Sequence, residues 1–193
     1  MRLNKRVALI TGGGSGIGRA SALLFAKEGA EVLVADLNKS HALETARCIK
    51  AEGANATIAI GDVSNNQDAQ HMVKAAVSAY GRLDILVNSA GVTARNALPE
   101  GASPELIWDR VMEINLKGTY LMSLYAVPEM EHSGGGSIVN LASVMGLVGY
   151  PVGLGGGFNP YPPSKGGVVQ FTKTLAVDCA RKNIRVNCIC PGY

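Results

Sequence analysis

The chain alternates between short runs of apolar residues and longer stretches in which apolar and polar residues repeat with a helical period. A continuous apolar run of about four residues, bounded by glycine or polar turn residues, is typical of a strand that is buried on both faces. Six such runs predict six strands, at 7–10, 32–35, 57–60, 84–87, 137–141 and 185–190.

The stretches between these runs predict helices, several of which end at a glycine such as Gly29, Gly53 or Gly81. The predicted helices are 17–28, 39–52, 66–80, 104–131 with a break near Gly118, and 162–181. Buried strands that alternate with helices form βαβ units, whose right-handed crossovers build a parallel sheet covered on both faces. The pattern therefore predicts an α/β fold: a doubly wound, Rossmann-like parallel sheet of six strands in three α/β/α layers, as one domain over 1–193.

Composition and charge exclude several classes of protein. With 193 residues, of which 47% are hydrophobic and 17% charged, the chain has the composition of a folded domain. A net charge of +3 without a basic stripe argues against a nucleic-acid partner. No apolar run is long enough for a membrane span. The four cysteines, which have neither a CxxC pair nor metal-ligand spacing, predict free thiols in the cytoplasm and no bound metal.

A glycine-rich loop, TGGGSGIG at 11–18, lies between the first strand and the first helix. Glycine lacks a Cβ, so the backbone can approach a pyrophosphate, and the helix N-terminus offers it free N–H groups. Asp36 ends the second strand, where its carboxylate can accept both ribose hydroxyls and would repel a 2′-phosphate. No cation lies within the loop and Leu37 follows Asp36, so the pattern favours NAD over NADP. The alternative is a glycine-rich turn that only joins strand to helix.

At this point the sequence resembles the short-chain dehydrogenase/reductase family, in its NAD-preferring form. The motifs that carry the resemblance are, in chain order, TGGGSGIG at 11–18, Asp62-Val63, Asn88-Ser89-Ala90-Gly91, Asn115, Ser143, Tyr161 with Lys165, and Pro191-Gly192. Each motif is weak alone, but the ordered set is specific; Ser89 stands where the family usually has a second Asn. The resemblance implies an oxidoreductase that transfers hydride between NAD(H) and a secondary alcohol or carbonyl substrate.

The resemblance also implies four catalytic residues: Asn115, Ser143, Tyr161 and Lys165. Tyr161 and Lys165 are four positions apart and would share a helix face, where an ammonium stabilises a phenolate. Tyr161 would then act as the acid/base, Ser143 would hold the substrate oxygen, and Asn115 would hold a water for a proton relay. Taken singly, such residues are more often solvated or structural.

The cofactor-binding residues follow from the same resemblance. Asp62 and Val63 would contact adenine, Lys165 would hold the nicotinamide ribose, and Pro191 and Gly192 would lie beside the nicotinamide. The full implied set is Thr11, Gly12, Ser15, Gly16, Ile17, Gly18, Asp36, Asp62, Val63, Asn88, Ala90, Gly91, Tyr161, Lys165, Pro191 and Gly192.

Three features depart from the family pattern. Ser143 and Tyr161 are 18 positions apart, more than the common spacing, and the extra length contains the glycine-rich stretch 153–157, which predicts a loop. Pro162 and Pro163 disfavour helix in the residue before each, so we expect imperfect alignment of Tyr161 with Lys165. Family members continue beyond the Pro-Gly turn, so we expect a chain truncated at its C-terminus, without the seventh strand and the substrate-covering segment.

Two functional hypotheses therefore stand side by side. The first is an NAD-dependent oxidoreductase that acts on a small alcohol or ketone. The second is a catalytically impaired, truncated fragment that binds dinucleotide or only pairs with other subunits. A nucleotide-binding regulator would need neither Tyr161 nor Lys165, whose presence argues against it. Because family members form dimers and tetramers, the resemblance implies a homo-oligomer through helices 104–131 and 162–181.

Overall fold

The computed structural model describes residues 1–149 and 156–192. The strands in this part are β1 (Val7–Thr11), β2 (Glu31–Asp36), β3 (Ala56–Ile60), β4 (Ile85–Asn88), β5 (Gly136–Leu141) and β6 (Ile184–Ile189). The helices are α1 (Gly16–Lys27), α2 (Lys39–Ala51), α3 (Asn66–Tyr80), α4 (Pro104–Met112), α5 (Gly118–His132) and α6 (Tyr161–Cys179). The predicted loop at 153–157 is described only from its last two residues, which open a short 3₁₀ turn, Gly156–Phe158; the rest lies outside the described residues.

All six strands form one parallel sheet in the order β3-β2-β1-β4-β5-β6. The chain winds outward from β1 in one direction and returns to β4 to continue in the other, so the predicted doubly wound sheet is confirmed. In such sheets the crevice beyond the carboxyl ends of the strands, at the point where the order reverses, is where a dinucleotide binds. Thr11 on β1 lies opposite Asn88 on β4 at this point.

Both faces of the sheet are covered because strand residues point alternately to opposite sides. Leu9 packs into the core formed with α3 and α5, whereas its neighbours Ala8 and Ile10 pack into the core formed with α1 and α2. This arrangement explains why the strands are continuously apolar in sequence rather than alternating. None of the helices in the described ranges is both long and apolar enough to span a bilayer.

The helix predicted over 104–131 is divided in the structure. Helix α4 ends at Met112, a π-helical turn occupies Glu113–Lys117, and α5 starts at Gly118. The predicted break near Gly118 is therefore a change of helical pitch, and the chain keeps its helical direction. Such π turns occur mostly as single turns inside α-helices, often at functional sites; this one carries Asn115.

A buried carboxylate fastens the amino ends of β1 and β4. Asp84 is 3% exposed and accepts hydrogen bonds from Arg6 Nη1 at 2.7 Å, from Arg82 Nη2 at 2.6 Å and from the Val7 N–H at 3.0 Å. Burial alone would raise the pKa of Asp84, but the bonds from Arg82, Val7 and Arg6 outweigh it and hold the pKa below its ordinary 3.8. The folded state therefore favours the ionised carboxylate.

We expect Asp84→Asn to lower the free energy of unfolding at pH 7 by about 1–3 kcal/mol, because it removes the negative charge and one of the two oxygens that accept from Arg6, Arg82 and the Val7 N–H. Because the folded pKa is depressed, this stabilisation is present above the unfolded pKa of about 3.9 and is lost as the pH falls through the folded value. Urea unfolding of both proteins at pH 7 and near pH 3 measures the difference. An equal difference at both pH values would contradict the assignment.

Candidate active site

A cavity of about 330 Å³ opens at the carboxyl ends of β1, β4 and β5. It extends from the glycine-rich loop, along the segment after β4, to the start of α6. The predicted site residues that line it are Gly12, Ser15, Gly16, Ile17, Ala90, Gly91, Ser143, Tyr161, Lys165, Pro191 and Gly192. The fold thus brings motifs from five separate parts of the chain to one crevice.

The glycine-rich loop has a backbone that only glycine adopts easily. Gly12 and Gly16 have φ angles of +62° and +50°, in the left-handed region. A Cβ on Gly18 would overlap the carbonyl oxygen of Gly12, so α1 can begin this close to β1 only with glycine at that position. Beneath the loop, Thr11 Oγ1 accepts the N–H groups of Ser89 and Ala90, both at 3.1 Å. These features leave a close-fitting backbone cradle ahead of a helix N-terminus.

Asp36 lies beside this cradle and supports it. Its Oδ2 accepts the Gly14 N–H and its Oδ1 accepts the Asn38 N–H, both at 2.8 Å. A carboxylate oxygen has two lone-pair sites, so each oxygen retains acceptor capacity toward a ribose hydroxyl. The carboxylate therefore combines loop support with a negative charge at the rim.

Tyr161 and Lys165 lie together despite the two prolines between them. Helix α6 begins at Tyr161, and Pro162 and Pro163 occupy its first turn, where the missing N–H groups have no helical partner. Lys165 Nζ lies 5.8 Å from the centroid of the Tyr161 ring. The expectation that the prolines disturb this alignment is therefore wrong, because the helix starts with the first of the two residues.

Lys165 is an ammonium in a mostly dry position. Lys165 is only 5% exposed, and its Nζ donates a hydrogen bond to the carbonyl oxygen of Leu141 at 2.6 Å. Burial lowers the pKa of Lys165 to about 8, although nearby Cys190 opposes the shift. A cation held this way interacts strongly with whatever polar group enters the cavity.

Ser143 follows β5 directly and faces the same cavity. Its Oγ accepts the Met145 N–H at 3.1 Å, so the hydroxyl proton can be donated to a substrate oxygen. The turn that follows presses against α6: a Cβ on Gly146 would lie 2.7 Å from the carbonyl carbon of Lys165. This close approach sets the distance between Ser143 and α6 independently of the residues that join them.

Asn115 lies under the cavity floor rather than on its wall. Its Oδ1 accepts the Val92 N–H at 2.8 Å, and its Nδ2 donates to Val92 O at 2.9 Å and to Ser164 Oγ at 3.0 Å. Ser164 in turn donates to the carbonyl oxygen of Tyr161 at 2.7 Å. Ser164 is thus a supporting residue that the sequence reasoning missed, although its place beside Lys165 was a signal.

A layer of buried polar side chains continues beneath Asn115. Asn88 Nδ2 donates to Asn140 Oδ1 at 2.9 Å and to Ser123 Oγ at 3.2 Å, and Asn140 Nδ2 donates to Thr172 Oγ1 at 2.9 Å. Asn88, implied by the resemblance to bind cofactor, therefore directs its side-chain amide into the sheet–helix interior. It ties β4 to β5 and α5, which hold the site from below.

Asp62 and Val63 form the turn after β3, at the far end of the crevice. Asp62 Oδ2 accepts a hydrogen bond from Arg110 Nη2 at 2.7 Å. Val63 packs closely on Gly118: a Cβ added to Gly118 would lie 2.6 Å from Val63 Cγ2. Arg110 is a second residue that the sequence reasoning missed, because nothing in the pattern relates α4 to a turn 48 positions earlier.

Within the described ranges, no three His, Cys, Asp or Glu side chains converge as a metal site.

Comparisons with known proteins agree with this arrangement. A family model described as short chain dehydrogenase matches residues 6–193. The 3-oxoacyl-acyl-carrier-protein reductase of Thermotoga maritima is 42% identical, over 100% of this chain and 76% of the relative. The cyclohexanol dehydrogenase of an Acinetobacter species is 38% identical, over 100% of this chain and 74% of the relative. A crystal structure of an NAD⁺-bound xylitol dehydrogenase has a TM-score of 0.90 at 33% identity, covering 100% of this chain and 72% of that one.

The family model spans nearly the whole chain, and the solved xylitol dehydrogenase has the same fold and is identical to this chain at a third of the aligned positions. The match therefore extends from the glycine-rich loop to the Pro-Gly turn and includes each motif that surrounds the cavity. On these grounds the chain belongs to the short-chain dehydrogenase/reductase family of oxidoreductases.

Proposed function

We propose that the protein is an NAD-dependent dehydrogenase that interconverts a secondary alcohol and the corresponding carbonyl compound. The observation that carries this proposal is the single cavity in which the glycine-rich loop meets Ser143, Tyr161 and Lys165. A phosphate-binding loop and an acid/base group in one crevice are what hydride transfer to a dinucleotide requires. The alcohol and sugar-alcohol dehydrogenases among the similar proteins support the substrate class.

The residues present fit a nicotinamide dinucleotide. The cradle of Gly12, Gly16 and Gly18 has no room for a Cβ at Gly18, which suits backbone contact with a pyrophosphate. Asp36 would bind the adenosine ribose, and Lys165 would bind the nicotinamide ribose. When bound, the cofactor supplies the hydride acceptor, and the remaining chemistry falls to the side chains of this chain.

In this proposal Tyr161 removes the proton from the alcohol during oxidation and returns it during reduction. Ser143 donates its hydroxyl proton to the reacting oxygen, which orients the oxygen toward the phenol. The positive charge of Lys165, 5.8 Å from the phenol ring, stabilises the phenolate that Tyr161 needs to act as a base. Asn115 would assist by holding a water in a proton relay, with Ser164 keeping its amide oriented.

The experiment that tests the proposal measures initial rates with a panel of secondary alcohols and either NAD or NADP, for the wild type and for Asp36→Asn. We expect NADH formation by the wild type and a preference for NAD, because the Asp36 carboxylate repels a 2′-phosphate. The Asn variant keeps an acceptor for the Gly14 N–H but lacks the charge, so the NAD/NADP ratio of kcat/KM should fall at least about tenfold.

Asp178→Asn, a change of an exposed carboxylate on α6, is the matched control and should keep the wild-type ratio. Binding of NADH without turnover of any alcohol or ketone would contradict the enzyme proposal and favour a binding role. A ratio unchanged in Asp36→Asn would contradict the role of Asp36 alone.

We also propose a homo-oligomer that pairs through α4, α5 and α6. These helices expose Trp108, Tyr120, Leu124 and Val177, of which Val177 is 79% exposed. Exposed apolar side chains on these three helices would suit an association surface between two copies of the chain. The four cysteines are free thiols, which supports a reducing compartment such as the cytoplasm.

A further inference from the structure

The loop after β4 begins beside the candidate acid/base pair. A Cβ added to Gly91 would lie 3.4 Å from Lys165 Nζ and 3.2 Å from Asn115 Oδ1. The next residue, Val92, donates its N–H to Asn115 Oδ1 at 2.8 Å and accepts from Asn115 Nδ2 at 2.9 Å. Because the same amide also donates to Ser164 on α6, the start of this loop is held at a fixed place relative to α6.

A tight turn, Thr93–Asn96, follows from this fixed start. The Asn96 N–H donates to the carbonyl oxygen of Thr93 at 3.2 Å. In the other direction, the Thr93 N–H and the Thr93 hydroxyl donate to Asn96 Oδ1 at 2.6 Å and 3.0 Å. A backbone N–H can only donate, so the side-chain atom that it meets is the amide oxygen and the amine lies on the other side. The two donors occupy both lone-pair sites of that oxygen.

The amine of Asn96 is an oriented donor that no protein group uses. Within residues 1–149 and 156–192, no acceptor lies within hydrogen-bond reach of its Nδ2. Thr93 and Asn96 nevertheless line the same cavity as Ser143 and Tyr161. Asn96 is an exposed residue, so its amine is open to water or to a ligand. The proposed mechanism gives this donor no role.

We propose that Asn96 determines substrate specificity by donating a hydrogen bond from its amine to a second oxygen of the substrate, one that accepts and lies near the reacting carbon. This inference rests on the proposed function, because it places part of the substrate in the same cavity. The Asn96 oxygen is saturated by Thr93, so the amide can serve the substrate only as a donor. A carbonyl oxygen, which only accepts, is the group that such a site recognises best.

The test compares ethyl acetoacetate with methyl pentyl ketone, a ketone of equal chain length that lacks the second carbonyl oxygen. The two ketones differ in intrinsic reactivity, but that difference is the same for every variant. A change in the ratio of their kcat/KM values with NADH therefore measures the contact. Asn96→Asp keeps an oxygen for the Thr93 donors and replaces the amine by an oxygen that repels an acceptor. We expect the ratio to fall about three- to tenfold, with methyl pentyl ketone within about twofold of the wild type.

A measurement without turnover accompanies the rates. In the presence of NAD⁺ neither ketone can react, because ketone and cofactor are both oxidised. Ligand-observed NMR titration of the NAD⁺-loaded protein then gives a Kd for each ketone. Asn96→Asp should weaken the binding of ethyl acetoacetate relative to methyl pentyl ketone by about the same three- to tenfold factor. Asn96→Leu removes the donor without adding a charge and should change both ratios in the same direction.

Asn65→Asp is the matched control, since it makes the same substitution outside the residues that line the cavity. Asn65 Oδ1 likewise accepts backbone N–H groups, from Gln67 and Asp68, and the variant should keep the wild-type ratios. Unchanged ratios in the Asn96 variants, equal weakening of both ketones, or no binding of ethyl acetoacetate to the NAD⁺-loaded wild type would each overturn the inference. A wild type that fails to bind NAD⁺, or that reduces no carbonyl compound, would instead overturn the proposed function.

Discussion

Tyr161→Phe should lower kcat/KM by about 10²–10⁴-fold, the usual contribution of a positioned general acid/base. The variant retains the ring, whose centroid lies 5.8 Å from Lys165 Nζ, but lacks the hydroxyl that, in the proposed mechanism, exchanges the proton with substrate. Since the change is confined to that hydroxyl, the Kd for NADH should stay within about twofold of the wild type. Steady-state rates with the best alcohol, together with NADH titration, measure both quantities.

A second tyrosine provides the control for this change. Tyr125→Phe removes an exposed hydroxyl that donates to Asn66 Oδ1 at 2.6 Å, at the start of α3 and outside the residues that line the cavity. Its activity should match the wild type. If Tyr161→Phe retained most of its activity, another group would have to be the acid/base, and the proposed mechanism would be wrong.

Lys165→Met should separate activity from stability. We expect kcat/KM to fall at least about 100-fold, because the variant removes the cation that, in the proposed mechanism, stabilises the phenolate and binds the ribose. The free energy of unfolding at pH 7 should change by less than about 1 kcal/mol. Methionine relieves the cost of a buried charge, and this gain offsets the lost hydrogen bond to Leu141 O.

The pH dependence of stability provides a second measurement on the same variant. The pKa of Lys165 is lowered by burial from 10.5 to about 8 in the folded protein. Between these two pH values the unfolded chain binds more protons than the folded one, so wild-type stability should rise with pH relative to Lys165→Met. Below pH 8 both states are protonated and the difference should be constant. Urea unfolding without cofactor, from pH 7 to 10.5, measures it.

The control for this lysine lies on the same helix. Lys173→Met alters an exposed side chain on α6 and should leave both the activity and the pH dependence of stability unchanged. Parallel stability curves for the wild type and Lys165→Met across this range would contradict the assignment of a buried, titrating ammonium to Lys165.

The strands and most helix boundaries could be predicted from the sequence because each is marked locally. Val7–Ile10, for example, is a continuous apolar run followed by Thr11 and glycine, and α3 is capped at its C-terminus by Gly81, which adopts a φ of +77°. A buried parallel sheet with short connections leaves few topologies for such elements, which is why a parallel sheet covered on both faces followed from the pattern.

The π-helical turn at Glu113–Lys117 could not be predicted in the same way. Its residues have ordinary helix-compatible composition, and the wider pitch depends on contacts from elsewhere in the chain. Asn115 is held there by Val92 and Ser164, from segments 23 and 49 positions away. Such contacts exist only once the sheet has brought β4 and α6 together.

The candidate site shows the same division. Tyr161 and Lys165 could be identified from the motifs that carry the family resemblance, and their spacing of four places them on one helix face. Pro162 and Pro163 suggested a distortion that the helix start at Tyr161 avoids. The residues that support the site could not be identified from the sequence. Arg110 and Ser164 act through partners remote in sequence, and their side chains alone resemble those of ordinary helix residues.

By itself, then, the sequence determined the fold class, the glycine-rich loop and the placement of Tyr161 and Lys165 on one helix face, because each of these is encoded in neighbouring residues through burial, backbone freedom or helical period. The tertiary structure decided which side chains hold that machinery in place: the close approach of Gly146 to α6, the amide of Asn115 beneath the cavity, and the grip of Arg110 on Asp62. These depend on the distances between elements, and those distances are set only when the whole sheet and its helices pack together.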